Sequence, residues 1–430
     1  MFVLTIFGSL VLLMLLGVPI AVSLGLTAIG IMYWMGGADL LIMFGQRTYF
    51  GTASFPLLAV PFFILAGNLM NTGGITQRIF AVAQLCVGRV HGGLGHVNVI
   101  ASMIFAGMSG SAVADAAGLG VVEIRAMTRA GYQKRFAAAI TAVSSTIGPI
   151  IPPSIPFVIY GSLTNVSVGD LFLAGIIPGL LMGLALMGVV SIVAWRRDLP
   201  RMASHPPLGE TLRAIGRATP ALGMPIFIVG GILTGWFTPT EAAVAASVYA
   251  MVLGVAVYRE LHWSDVPGVL WESAKQTVQV MFIIAAASPF GWVLIQQQIP
   301  NAVINAVLHV STTPWVILLM VNLVLLVLGM FIEGIAIMII TFPIFLPLIQ
   351  QIQIDPTHFG VIVVMNLMIG LVTPPVGMAL YAVSAISDVS MGELFAEMWP
   401  YVVALIAVLL LVTFSPDVVM FLPRTFGFAR

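Results

Sequence analysis

Twice in this sequence, 222 residues apart, two adjacent prolines stand in the middle of an apolar stretch: Pro152-Pro153 in GPIIPPS (148–154) and Pro374-Pro375 in GLVTPPVG (370–377). A proline lacks an N–H donor and disfavours helical geometry at the residue before it, so no regular helix runs through either pair. Four prolines within eight residues, at 149, 152, 153 and 156, argue for an unwound segment rather than a kink. Unwinding frees carbonyls at the end of one half-helix and N–H groups at the start of the next. In a hydrocarbon layer such a break is tolerated only where it is buried in protein or lines a cavity.

The layer is hydrocarbon because the rest of the chain permits nothing else. Apolar stretches fall near 2–17, 18–36, 53–71, 95–124, 136–160, 170–195, 218–236, 240–258, 276–293, 315–345, 358–382 and 400–417. Many are close to the ~20 residues that span a ~30 Å core. Only 7% of the 430 residues are charged, against about 25% in soluble domains. The expected class is an all-α polytopic membrane protein. The runs are continuous rather than alternating, which excludes a β-barrel. Zero net charge without a basic tract excludes nucleic-acid binding. The single Cys86 excludes an internal disulfide and a Cys-based metal site. The start, MFVLTIFGSLVLLMLLG, has no positive leader and no small-residue cleavage site, and reads as a retained first helix.

Two runs, 95–124 and 315–345, are too long for one crossing, since 30 residues of helix measure ~45 Å. The first is interrupted by Ser109-Gly110-Ser111, so two half-helices are expected to enter to mid-membrane and return as a re-entrant hairpin. Arg78 and Arg89 precede it, and Arg125, Arg129, Lys134 and Arg135 follow, which puts its open end on the cytoplasmic side. Arg196, Arg197, Arg201, Arg213 and Arg217 mark a central cytoplasmic loop, and Arg259 and Lys275 a further one. The resulting topology has ten full crossings, two hairpins and both termini outside. Its weak point is the segment 383–399, placed inside although it carries Asp388, Glu393 and Glu397 and no Lys or Arg.

The chain also repeats. IGPIIPP (147–153) falls on IGLVTPP (369–375), and Ala106-Gly107-Met108 on Leu328-Gly329-Met330, at one offset of 222. Residues 1–217 and 218–430 are thus read as two units, each with five crossings, one re-entrant hairpin and one broken helix. Five is odd, so the second unit is expected upside down. An inverted repeat with interrupted helices at matching positions is the pattern of a secondary transporter whose site lies at mid-membrane. Segments 74–91 and 296–313 map onto each other and read as helices along the membrane surface.

The chemistry is expected at the four interruptions. In GMSGSAVADAAGLG (107–120), Ser and Gly permit a tight turn, Ser111 is placed to N-cap the returning half-helix, and Asp115 is a carboxylate in an apolar span. At 148–154 the freed carbonyls suit a cation and the following N–H groups suit an anion, with Ser154 adding a hydroxyl. The second copies are Gly329 to Gly334, with Glu333 in the place of Ser111, and Gly370, Thr373, Pro374, Pro375 and Gly377. Glu333 either stabilises a cation or satisfies backbone N–H groups at the tip. Ser111, Asp115, Pro153, Ser154 and Pro375 are the candidates for substrate contact. Glu241 in FTPTE reads as a first-turn carboxylate rather than a ligand.

The combination SGSAVADAAGLG, IGPIIPPSIPFVIYG, GWFTPTEAAVAA and GLVTPPVGMALY resembles the large membrane subunit of tripartite ATP-independent periplasmic (TRAP) transporters, over essentially the whole chain. The resemblance implies an ion-transporter-superfamily fold in which a scaffold holds a mobile domain of hairpins and broken helices that moves as an elevator. It implies Na⁺-coupled uptake of an organic acid across the bacterial inner membrane and no organic cofactor. The implied partners are a small four-helix membrane subunit, not fused here, and a soluble periplasmic solute-binding protein. It places one Na⁺ site around Ser109, Gly110, Ser111, Gly148 and Pro149, and a second around Gly329, Glu333, Gly370 and Thr373.

Two other readings compete. A stand-alone Na⁺/carboxylate symporter of the same superfamily needs no binding protein. An intramembrane serine protease is suggested by Gly107-Met108-Ser109-Gly110, which matches GxSG, but it needs a His base near that serine. His91, His96, His309 and His358 all fall near span ends.

Overall fold

The structure, a computed structural model, describes residues 2–201 and 208–426, with side chains at all of these except 2–4, 107–109, 113, 114, 117, 208 and 210. The described residues form α-helices and short 3-10 or π turns, with no strand. The helices are α1 (Phe2–Leu15), α2 (Ile20–Thr52), α3 (Ala59–Thr72), α4 (Ile75–Val87), α5 (Gly93–Ser109), α6 (Ala112–Arg129), α7 (Lys134–Ser144), α8 (Ile155–Thr164), α9 (Val168–Arg197) and α10 (Leu208–Leu233). They continue as α11 (Pro239–Val252), α12 (Val266–Gln296), α13 (Ile299–Val310), α14 (Pro314–Gly329), α15 (Gly334–Gln351), α16 (Pro356–Gly370), α17 (Met378–Ser387), α18 (Met391–Phe414) and α19 (Pro416–Thr425).

The two over-long apolar runs are both interrupted. The first breaks at Gly110-Ser111 between α5 and α6, which pack against each other. The second breaks at Met330–Glu333 between α14 and α15. Both proline pairs break their helices: α7 ends in a 3-10 turn over Ser145–Ile147 and α8 starts at Ile155, while α16 stops at Gly370 and α17 starts at Met378. Pro152-Pro153 and Pro374-Pro375 are cis. The helix starts recur near the sequence offset: Ala112 and Gly334, and Lys134 and Pro356, are each 222 residues apart.

Packing across the two halves is reciprocal. α8 lies against α15 and α16, and α17 lies against α6 and α7. The Tyr160 hydroxyl donates to the Pro356 carbonyl at 2.7 Å, joining the start of α16 to α8. Gly120 of α6 faces the Ile386 side chain of α17. The core of these central helices is almost wholly buried, with Phe136, Phe157, Tyr160 and Tyr401 each under 2% exposed. On the outside Leu15, Trp195, Ile226 and Trp236 are each more than 70% exposed, the surface of a chain whose periphery meets lipid.

Among the described residues, eight helical segments are long and apolar enough to cross a membrane. This differs from the expected ten crossings for geometric reasons. The two broken helices are each split into short halves, and α1 has 14 residues. In exchange α15, a hairpin limb, reaches the required length. One element was not expected at all: α2 continues beyond the apolar run 18–36 to Thr52, turning at Gly36 and at Gly37, whose φ of +65° is accessible to glycine. Its second limb is part of a long seam with α12.

The acidic segment 383–399 lies with basic partners. Lys134 pairs with Asp388 at 3.3 Å, and Glu397 pairs with Arg197 and, at 3.7 Å, with Arg135. Its lack of Lys and Arg is therefore no obstacle to sharing a face with the basic loops, because its acids meet their cations there.

Candidate functional site

Each hairpin tip closes on a helix break, so the four interruptions form two cradles. At the first, a methyl group built on Gly110 would sit 2.7 Å from the Pro153 carbonyl oxygen and 3.2 Å from the Ile155 nitrogen. Gly110 is left-handed, with φ of +60°, so both its conformation and its neighbours require glycine. On the other side of the same break, Gly148 faces the Ser111 carbonyl group. At the second cradle, a methyl group on Gly370 would lie 2.7 Å from the Gly329 Cα, and the Met330 carbonyl accepts from the Val376 N–H at 3.1 Å.

The geometry brings helix ends of both polarities to each cradle. α5 and the 3-10 turn after α7 arrive with C-terminal carbonyls, and α6 and α8 leave with N-terminal N–H groups. α14 and α16 arrive at the second cradle, and α15 and α17 leave it. Carbonyl ends suit a hard cation, and N-terminal ends suit an anion.

The predicted site residues divide as follows. Ser111 holds the N-cap position of α6, its carbonyl accepting from the Asp115 N–H at 3.0 Å. Ser154 caps α8: its hydroxyl accepts from the Phe157 N–H at 3.2 Å and donates to the Pro149 carbonyl. One carbonyl that the sequence left free is therefore held within the break. The Thr373 hydroxyl donates to the Ile369 carbonyl at 2.6 Å, with the side chain nearly buried. Glu333 caps α15, its carboxylate accepting from the Ala336 N–H at 3.0 Å. Gly329, Gly370, Gly110, Gly148, Pro149 and Pro153 line the two cradles directly, and Pro375 lies in the second break. The side chain of Ser109 lies outside the described residues. Asp115 is not at a cradle surface: it is 1% exposed, one turn inside α6, within hydrogen-bonding reach of Ser102 on α5.

Sequence reasoning missed a polar network behind the first tip. Asn98 of α5 donates to Glu123 of α6 and to Thr141 of α7, each at 2.7 Å. Ser144 donates to the Asn98 amide oxygen at 2.7 Å, and Ser102 to Ser144 at 3.1 Å. All of these side chains are buried. Glu123 stands at the end of the apolar run 95–124, where an acid reads as the start of a loop; its position inside the run was the available signal. A smaller counterpart joins Asn366 to Asn322 at 2.8 Å and Asn322 to Thr413 at 3.0 Å.

The GxSG motif lies at the C-terminal end of α5. His96 is on the same helix as Ser109, thirteen residues away and ~20 Å along the axis. His358 contacts the Val412 carbonyl at 2.9 Å. Two cavities lie elsewhere. One of about 500 Å³ lies between Ser54–Pro56, Gly161–Gly169 and Phe237–Thr240, and one of about 330 Å³ lies between Ile295–Asn301 and Phe342–Pro347. Neither is lined by a cradle residue.

The chain matches the family model described as "Tripartite ATP-independent periplasmic transporter, DctM component" over residues 7–418. It is 43% identical over 425 residues, 98% of each chain, to the sialic acid TRAP transporter large permease protein SiaM of Vibrio cholerae. It is 44% identical over 373 residues, 87% of each chain, to the C4-dicarboxylate TRAP transporter large permease protein DctM of Pseudomonas aeruginosa. Among solved structures, the YdaH transporter of Alcanivorax borkumensis superposes with a TM-score of 0.66 at 13% identity, covering 88% of this chain and 89% of that one. At that identity the likeness speaks for the fold alone.

Proposed function

The chain belongs to the DctM family of tripartite ATP-independent periplasmic transporters, and we propose that it is the large permease through which an organic acid enters the cell, driven by inward Na⁺ flow. The substrates for which these relatives are named, sialic acid and C4-dicarboxylates, are both carboxylates, and the helix-end chemistry of the cradles supports that class. The single observation that carries the reading is the closure of each hairpin tip on a proline break, Gly110 on Pro153 and Gly329 on Gly370.

The two cradles differ in charge. The N-terminus of α15 is already occupied by the Glu333 carboxylate, whereas Ser111 stands at the equivalent place on α6. A substrate carboxylate is therefore favoured at the first cradle, between the starts of α6 and α8, where Ser111 and Ser154 sit. The second cradle, with Glu333, Thr373 and the carbonyl ends of α14 and α16, favours Na⁺. Bound Na⁺ offsets the charge of the acid, so the fully loaded hairpin domain is the form that crosses hydrocarbon cheaply. In this reading the two halves form an inverted repeat. The hairpins and broken helices move as an elevator against a scaffold, and a small membrane subunit and a periplasmic binding protein complete the transporter in the inner membrane. The basic face joined by Lys134, Arg135 and Arg197 is the cytoplasmic one, with both termini outside.

Uptake of radiolabelled organic acid into proteoliposomes tests the proposal. The permease is reconstituted with a periplasmic binding protein and a small membrane subunit of its family. Accumulation should require an inward Na⁺ gradient; uptake that persists in Na⁺-free buffer without another ion overturns the coupling. Uptake by the chain alone would instead favour the stand-alone symporter.

A further inference from the structure

The network behind the first hairpin tip contains two acids and no base. Asp115 and Glu123 are each 1% exposed. They stand eight residues apart on α6, ~12 Å along its axis. Asp115 Oδ2 and Glu123 Oε1 are buried with no hydrogen-bond partner. The remaining oxygens meet neutral groups: Asn98 and Thr141 at Glu123, and Ser102 at Asp115.

No cation faces the pair among the described residues. On α6 itself Arg125 and Arg129 are exposed. On α5 the titratable group is His96, which turns to Ser191 of α9 at 3.4 Å. On α7 Lys134 and Arg135 are paired with Asp388 and Glu397. On α4 Arg78 is paired with Glu260 at 2.7 Å. α3 has no ionisable residue, and on α17 Tyr381 is exposed. Two ionised carboxylates buried this way would carry an uncompensated double charge, which costs far more than holding them protonated.

The second hairpin has no acid at the matching positions. At the 222-residue offset Ile337 stands for Asp115 and Phe345 for Glu123, both buried, and Val324 stands for Ser102. At the two acid positions the second hairpin buries apolar side chains, while Val324 is exposed. What distinguishes the first hairpin is a chemical capacity rather than a packing requirement.

We propose that Asp115 and Glu123, linked through Ser102, Ser144, Asn98 and Thr141, form a proton-binding site inside the first hairpin, and that the hairpin crosses the membrane with both carboxyls protonated. A proton leaves to water when an acid ionises and returns from water when it is neutralised; no other reactant is involved. The site lies one helical turn behind the first cradle, and its existence does not depend on Na⁺ coupling. Protons therefore act on this transporter through the hairpin interior.

Infrared spectroscopy on the purified full-length chain in lipid nanodiscs tests this without transport. At neutral pH the wild type should show buried protonated-carboxyl C=O bands. Glu123→Gln should remove one, and Asp115→Asn another. Alkaline titration should convert these bands to carboxylate bands, with no change when Na⁺ is replaced by choline. Variants that lose carboxylate bands at neutral pH, C=O bands untouched by either substitution, or bands that follow Na⁺ rather than pH overturn the proposal. In proteoliposomes, wild-type uptake should fall at alkaline pH and Glu123→Gln should flatten that fall; an identical profile overturns the role in crossing. A failure of Na⁺ coupling would leave the infrared result standing, so the two readings fail separately.

Discussion

At the scale of single residues, the cradles depend on atoms that are missing as much as on those present. Gly370→Ala places a methyl 2.7 Å from the Gly329 Cα, a backbone atom that no rotamer change can move. The tip must back away from the break, at a cost of about 1–3 kcal/mol. The variant should unfold at lower temperature and lose Na⁺-dependent uptake; unchanged behaviour in both would show that the close approach is not needed. Thr373→Val keeps the shape but removes a hydroxyl whose one recorded bond, to the Ile369 carbonyl, is local. Its stability should change by about 1 kcal/mol, whereas Na⁺ affinity should fall about tenfold, read as the Na⁺ dependence of uptake. Gly148, Gly370 and Thr373 stood out in the sequence because they sit beside the prolines, Gly110 because it interrupts an over-long apolar run, and Gly329 because of the 222-residue repeat. Asn98, Glu123, Thr141 and Ser144 were not, because they lie on three helices and only packing makes them one network.

At the scale of elements, length was the most informative quantity. Runs of about 30 residues exceed the bilayer, and the chain breaks them at Gly110-Ser111 and at Met330–Glu333. The turn at Gly36-Gly37 was missed for the opposite reason. The following limb carries Asp39 and Arg47 among apolar residues and has no proline, so nothing in its composition separates helix from loop. Long-range charge was hidden too. The acids of 383–399 seemed out of place until Glu397, 6% exposed, met Arg197 and Arg135 of α9 and α7. Glu397→Gln leaves two half-exposed guanidinium groups without their shared partner and should destabilise the helix junction by about 1–2 kcal/mol. A thermal melt in detergent micelles checks this, and an unchanged melting temperature would contradict it.

At the scale of the whole molecule, the reciprocal packing of α8 on α15 and α16, and of α17 on α6 and α7, ties both breaks into one central body. That body meets the surrounding helices at several polar points. One is the hydrogen bond between Ser162 at the end of α8 and Ser54 between α2 and α3, at 2.9 Å. Cysteines at 54 and 162 in a Cys86→Ser background are close enough to be oxidised to a disulfide. If the body slides against a fixed scaffold, oxidation should block uptake and reduction should restore it. Uptake indifferent to the cross-link would mean that these two surfaces do not move apart.

The claim on which the rest stands is that the second cradle, where a hairpin tip meets a helix break, holds the ion. Equilibrium binding of radiolabelled Na⁺ to the purified chain measures this without partners or substrate. The account predicts saturable binding that weakens about tenfold in Thr373→Val and is lost in Gly370→Ala. Wild-type protein that binds no Na⁺, or variants that bind it as the wild type does, would contradict it.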